Sequence, residues 1–243
     1  MDLLINAFNI ILYQPLFNVL VLLYEYLPGH DFGVAVIVLT ILIKLLFYPL
    51  GVQAIRSQRA LSELQPKIKE IQEKYKTDRE KQGKAMMELY QKEKINPFSG
   101  CLPLLIQLPI LIALYQVFWR GFQPEQMTYL YSFVPQPGLI NPTFFGIVNL
   151  AQPSLFLAIF AGITQFIQTK MLTPKTPKSK SKDKTSQFSN MMQKQMLYFF
   201  PIFTVFILLK MPSAIGLYWI VTTIFSIIQQ YFIIKPHAQP KQS

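Results

Sequence analysis

Lys44 stands in "TILIKLLFYPL", residues 40–50, an otherwise apolar run. An ammonium group at the centre of a bilayer costs roughly 2.5–3.5 kcal/mol on insertion scales, so the charge must either escape the hydrocarbon or serve a purpose there. Escape is open to it. On a helix over Phe32–Val52 the amine lies about seven residues, roughly 10 Å, from the cytoplasmic end, and a lysine stem nearly reaches the headgroups. The other reading is an amine facing a water-filled groove, where a hydrated cation costs much less and draws in acidic or polar segments that must cross. Polar, uncharged residues accompany it: Thr40 one turn earlier, Gln107, Thr164, Gln165, Thr204, Thr222, Thr223 and Ser226. Each alone reads as a helix–helix hydrogen bond. Together with an unpaired cation they predict a polar concavity inside a helical bundle.

Other chemistries find no residues. No acidic side chain falls inside an apolar run, and His30 and His237 lie at segment ends, which argues against a proton-coupled carrier. HExxH and a P-loop are absent, which leaves neither a zinc protease nor an ATP drive. Ser154, Ser213 and Ser226 have only Lys44 as a conceivable activating base. One cysteine, Cys101, allows neither an intrachain disulfide nor a zinc cluster. No catalytic residue, cofactor or metal is expected.

The elements that must position these residues are membrane helices. The 243 residues are 51% hydrophobic and only 14% charged, against about 25% charged in a soluble domain. Five spans are predicted: Phe32–Val52, Cys101–Trp119, Ser154–Leu172, Gln195–Leu209 and Ser213–Ile234. The fourth is short, about 22 Å, and holds Pro201; a short span thins the bilayer or borders a cavity. Of 23 basic residues, eleven lie between Arg56 and Lys94 and seven between Lys170 and Lys194. The positive-inside rule makes those loops and the C-terminus cytoplasmic and the N-terminus external. The N-terminus shows no cleavable signal and no transit peptide, which points to a bacterial plasma membrane.

The first 27 residues are long enough to span, but Asn6, Asn9, Gln14, Asn18 and Glu25 occupy half of a helical wheel and Pro15 interrupts it. A helix lying in the outer interface is preferred to a sixth span. Residues 54–95 are polar yet helical, with Leu61, Leu64, Ile68, Ile71 and Tyr75 forming an apolar stripe. A break at "KTDREKQG" separates them from "KAMMELYQKEKI". This predicts two antiparallel helices joined near Thr77–Asp78, with eleven bases and seven acids. Such a hairpin either fixes topology only or serves as a docking arm for ribosome, partner protein or lipid headgroups through Arg56, Arg59, Lys67 and Lys69. The Lys-, Ser- and Pro-rich stretch Pro174–Gln187 reads as a mobile loop near anionic lipid.

Three blocks carry a family resemblance: "YPLGVQAIRSQRALSELQPKIKEIQEKYK", "QKEKINPFSGCLPLLIQLPILIALYQVF" and "MLYFFPIFTVFILLKMPSAIGLYWIVTTIFSIIQQ". They closely resemble the YidC/Oxa membrane protein insertases, from Asn6 to Ile234. The resemblance implies an all-α integral membrane protein with five transmembrane helices around a hydrophilic groove, an N-terminal interfacial amphipathic helix and a cytoplasmic helical hairpin. The expected layout is an interfacial helix over 1–29, a first span over 30–53 and the hairpin over 54–97. Spans two to five follow over 98–234, with a basic loop at about 173–194, and the tail is 235–243. The resemblance further implies insertion of membrane-protein clients without nucleotide, alone or with the Sec translocon. It places Lys44 where the family carries a positive groove residue, typically arginine, and puts Thr40, Gln107, Leu108, Pro109, Tyr218 and Trp219 along the groove or its client-facing side. Tyr218 and Trp219 also read as interfacial belt residues. No large extracytoplasmic domain and no lipidated cysteine precede the first core span, so the chain looks like a minimal form. Its tail carries few charges for a ribosome. No sequence-specific nucleic-acid binding is expected. Two rival functions remain: a small-solute channel or carrier, which would need a repeat or through-pore that the sequence does not show, and an assembly factor that holds client helices without translocating anything.

Overall fold

A computed structural model describes residues 2–96, 102–120, 123–173 and 195–234. Cys101, most of the basic loop at 173–194 and the 235–243 tail lie outside the described residues. The protein is an all-α integral membrane protein, with one short strand pair as its only sheet among those residues. Helix α1, Asp2–Phe8, runs through a π-helical turn, Asn9–Tyr13, into α2, Gln14–Tyr26. Pro15 has no N–H to donate, and the wider turn before it absorbs the missing bond: the Gln14 N–H reaches the Asn9 carbonyl instead.

Helix α3, Phe32–Leu46, starts at an Asp31 N-cap whose carboxylate accepts the Val34 N–H at 2.9 Å. Here the structure departs from the expected span Phe32–Val52. The chain bends by 70° between α3 and α4, Tyr48–Glu63. Pro49 is the cause: it cannot donate within a continuing helix, and its ring disfavours helical geometry at the residue before it. Helices α5, Gln65–Lys74, and α6, Arg79–Lys92, form the antiparallel hairpin. Pro66 separates α4 from α5. The break between α5 and α6 is shorter than "KTDREKQG", because Asp78 caps α6 by accepting the Lys81 N–H at 3.0 Å, and Gly83 lies inside the helix.

Helix α7, Leu102–Arg120, leads to a 3-10 turn, Pro124–Tyr129, and to strands β1, Thr143–Phe144, and β2, Val148–Asn149. Helix α8 is Leu155–Leu172; a second π-helical turn, Gln195–Phe199, precedes α9, Phe200–Leu208, where Pro201 repeats the device at Pro15; α10 is Ser213–Ile234. By length and composition Leu3–Tyr26, Leu155–Leu172 and Ser213–Ile234 can each cross a membrane. The bent pair α3–α4 passes together, and the apolar runs Leu105–Arg120 and Leu197–Leu208 are shorter.

The core lies where α2, α3, α7, α8 and α10 meet. Phe32 and Phe118 stack edge to face at 6.0 Å, and Tyr218 is 1% exposed. Gly162 lets α8 approach α9: a Cβ there would lie 2.6 Å from Val205 Cγ2. Outward, α8 and α9 present Phe156, Phe160, Ile202 and Phe206, the apolar surface a lipid-facing helix requires.

Candidate functional site: a glutamine-lined cavity

The bend after α3 swings α4 across the hairpin end of the bundle and roofs a cavity of about 430 Å³. Its walls come from α3, α4, α5, α8, α9 and α10. Three polar stripes meet there at helical spacing: Gln58, Ser62 and Gln65; Gln165, Gln168 and Thr169; Ser226, Gln229 and Gln230. Lys44 is the one charged side chain among the described lining residues. A water needs only about 10–15 Å³ of such space, so the cavity has room for many.

Lys44 sits in the last turn of α3. The expected distance of about 10 Å to the helix end is thereby corrected: two residues follow it, about 3 Å of rise. That position favours a cation, because the last carbonyls of a helix carry partial negative charge. The amine donates to Ser226 Oγ at 3.1 Å and lies 5.6 Å from the Phe225 ring centroid. No carboxylate comes within ion-pair distance of it among the described residues, so its charge is uncompensated where it meets the cavity.

The roof is tied down by atoms that helix ends leave unused. The last carbonyls of a helix lack intrahelical donors. Ser62 donates to the Leu172 carbonyl at the end of α8 at 2.9 Å, and Arg59 Nη1 donates to the Ile234 carbonyl at the end of α10 at 2.8 Å. Gln229 bonds the Tyr48 carbonyl at 3.2 Å, and α4 passes close enough there that a Cβ on Gly51 would lie 3.0 Å from the Gln229 amide.

Of the polar residues that the sequence assigns to the concavity, the cavity takes Lys44, Gln165 and Ser226. Gln165 Oε1 also accepts from Trp219 Nε1 at 2.6 Å and from Thr204 Oγ1 at 3.0 Å, joining α8, α9 and α10. The Thr164 and Thr223 hydroxyls lie 2.8 Å apart, buried behind that wall. Gln107 donates to the Tyr218 hydroxyl between α7 and α10, away from the lining. Thr40 is buried and donates to the Val36 carbonyl of its own helix. Leu108 is exposed and Pro109 half-buried on α7, and neither lines the cavity. Tyr218 is buried against Gln107, and Trp219 is half-buried on Gln165, both in contacts between helices.

On the hairpin, Arg59 also pairs with Glu63 at 2.8 Å, Lys67 pairs with Glu93 at 2.5 Å, Lys69 is 9% exposed and Arg56 faces solvent. The Lys67 hydrogen bond and charge hold the Glu93 carboxyl below its usual range; the Lys81 backbone N–H, then its side chain, does the same to Asp78. Among the described residues no group of three or more His, Cys, Asp or Glu could hold a metal ion. Sequence reasoning passed over Gln58, Gln65, Gln168, Gln229 and Gln230. For Gln168, Gln229 and Gln230 the signal was available: uncharged polar residues three and four apart on otherwise apolar helices. Gln58 and Gln65 lie among the charged residues of α4 and α5, where the pattern does not single them out.

A family model described as 60Kd inner membrane protein matches residues 22–241. A curated protein named Membrane protein insertase YidC from Geobacter metallireducens is 38% identical over 224 residues, 91% of this chain and 36% of that protein. Proteins of the same name from Magnetococcus marinus and Francisella philomiragia are each 36% identical, over 85% and 84% of this chain and 33% of their own length. The chain thus spans about a third of the curated relatives it matches.

Proposed function

Since the chain belongs to the 60Kd inner membrane protein family, the YidC/Oxa insertases that its motifs resemble, we propose that it moves hydrophobic segments and short polar flanks of client proteins into a bacterial inner membrane through the glutamine-lined cavity. The observation that carries this reading is the lining itself: six glutamines, one uncompensated lysine and no carboxylate among its described residues. A primary amide offers two donors and an acceptor. A wall of them replaces part of the hydration that any polar segment loses, whatever its sequence, which lowers the transfer barrier. Lys44 adds a preference for acidic flanks.

In this reading the hairpin end is cytoplasmic and receives nascent clients, with ribosome, Sec translocon and anionic lipids as further partners. The short run Leu197–Leu208 thins the bilayer beside the cavity. The client's apolar helix then leaves into lipid, and burial of its apolar surface, at about 25 cal/mol per Å², drives the step without nucleotide. The N-terminal helix lies in the outer interface. Supporting that placement, Asn18 bonds both the Tyr129 carbonyl, at 2.9 Å, and the Tyr131 N–H, at 2.7 Å, in the loop beyond α7, while Phe17 and Tyr24 pack around Phe32 at the start of α3.

The test uses liposomes that contain only the purified protein and a single-span client with a short acidic outer tail. Protection of the tail from added protease, above that in empty liposomes, is the expected result. Client binding without protection points to the holding factor, and solute flux without any client points to the channel.

A further inference from the structure

We propose that the β1–β2 turn is a lipid anchor: Phe145 and Ile147 insert at the headgroup–acyl boundary of the leaflet opposite the hairpin. The turn displays Phe145 at 68% and Ile147 at 84% exposure. Phe145 does so at φ +51°, a left-handed conformation that a bulky side chain rarely adopts. Backbone strain of this kind persists only where the surroundings impose it, and here they do. The Asp31 carboxylate that caps α3 also accepts the Phe145 N–H at 2.5 Å. Beneath it the Phe144 ring occupies the space that a Cβ on Gly33 would take. At the far end of the pair, Ser213 Oγ donates to the Asn149 carbonyl and the Ala214 N–H to the Leu150 carbonyl.

The turn is therefore fastened to the first turns of α3 and α10. Both helices begin there and run towards the hairpin end, so the fastening fixes the depth of the tip: level with the membrane boundary, not out in solvent. Composition agrees. No charged residue occurs between Glu125 and Lys170, a stretch that includes the whole loop from Gln126 to Ser154. Water-exposed loops of that length carry charges; a segment resting in the interface has no use for them. The apolar surface continues onto Leu155 and Phe156, exposed on the first turn of α8. Lipid covers that helix face, and the tip extends the same surface.

The test needs no client, so it stands apart from the insertion assay. In a Cys101→Ser background, Ile147→Cys is labelled with an environment-sensitive fluorophore and the protein is reconstituted into phosphatidylcholine vesicles. Glu125→Cys serves as the exposed control. At position 147, lipids with a nitroxide near the headgroup should quench several-fold more than at 125, and aqueous iodide several-fold less. Equal iodide quenching at both positions, with no lipid quenching, overturns the proposal. So does lipid-independent shielding that appears only on adding a client or on raising the protein density, which would assign the tip to a protein contact.

Discussion

The two ends of the bundle solve the same problem in opposite ways. At the hairpin end the chain is rich in charge, and its ion pairs join exposed side chains, as in Lys67–Glu93 and Lys84–Glu80. At the distal end a long uncharged loop is held by carboxylate and amide side chains gripping backbone groups: Asp31 holds Phe145 and Val34, and Asn18 holds Tyr129 and Tyr131. Exposed ion pairs contribute little and yield to salt; the bonds of Asn18, which is 1% exposed, are costly to break, while the Asp31–Phe145 bond is itself exposed. The α4 roof at the hairpin end is also tied by side chain–backbone bonds, from Ser62, Arg59 and Gln229. The contrast therefore lies between the distal loop and the α5–α6 hairpin beyond the roof: salt weakens the exposed ion pairs of the hairpin and, among the described residues, has none to weaken at Asn18.

The largest effect should come from the distal loop. Asn18 is 1% exposed and satisfies a carbonyl and an N–H of the loop. Asn18→Ala leaves both unmet and should cost about 3 kcal/mol. Thermal unfolding in nanodiscs measures it, and hydrogen exchange should rise at residues 2–26 and 124–131 while the hairpin stays unchanged. Equal loosening at both ends would erase the distinction between them.

The cavity comes next. Lys44→Ala should slow insertion of clients with acidic flanks about tenfold, which is about 1.4 kcal/mol, and leave neutral flanks within twofold. Lys44→Arg should keep most of the rate, since charge and not bond geometry attracts the flank. A loss that is the same for acidic and neutral flanks would make Lys44 a structural tie to Ser226.

How legible was all this in the sequence? The helices were, because long apolar runs and a three–four stripe are local signals. Lys44's place in a polar cavity followed from its type and its uncharged companions; its depth did not, because the end of α3 is set by Pro49 and the 70° bend. The size of that bend depends on where Ser62 and Arg59 of α4 find the helix-end carbonyls they cap, Leu172 of α8 and Ile234 of α10. Those partners are more than a hundred residues away, and periodicity says nothing about them. Asn18 misled for the same reason. On a wheel it belongs to a wet face, yet the loop beyond α7 folds over it. The β1–β2 turn gave no strand pattern at all, since two-residue strands are too short to alternate.

A smaller effect separates strain from anchoring at the distal turn. Phe145→Gly and Phe145→Ala both remove the ring, but only glycine takes φ +51° freely. The glycine variant should be more stable than the alanine variant by about 1 kcal/mol in thermal unfolding. Equal stabilities would show that the turn relaxes, and the grip of Asp31 on it would then be weaker than its geometry indicates.

The smallest effect belongs to the hairpin and depends on pH. Glu93 is held below its usual value near 4.5 by its hydrogen bond and charge pairing with Lys67, and Asp78 below its usual 3.8 by the Lys81 N–H and then the Lys81 side chain. A carboxyl whose folded pKa lies below its unfolded one adds stability above the unfolded value and loses it as pH falls through the folded one. Hydrogen-exchange protection of α5 and α6 should therefore be flat from pH 7 to about 5 and decline below the usual carboxylate values. Lys67→Ala should remove the Glu93 share of that decline, and Lys81→Ala only the side-chain share of Asp78, because the Lys81 N–H still caps α6. Molar salt should shrink the Lys67–Glu93 contribution. The loop around Asn18 and Tyr131 contains no ion pair to screen among the described residues, so its protection should not change with salt. A salt response there as large as in the hairpin would mean that charge, not buried hydrogen bonding, holds the distal loop in place.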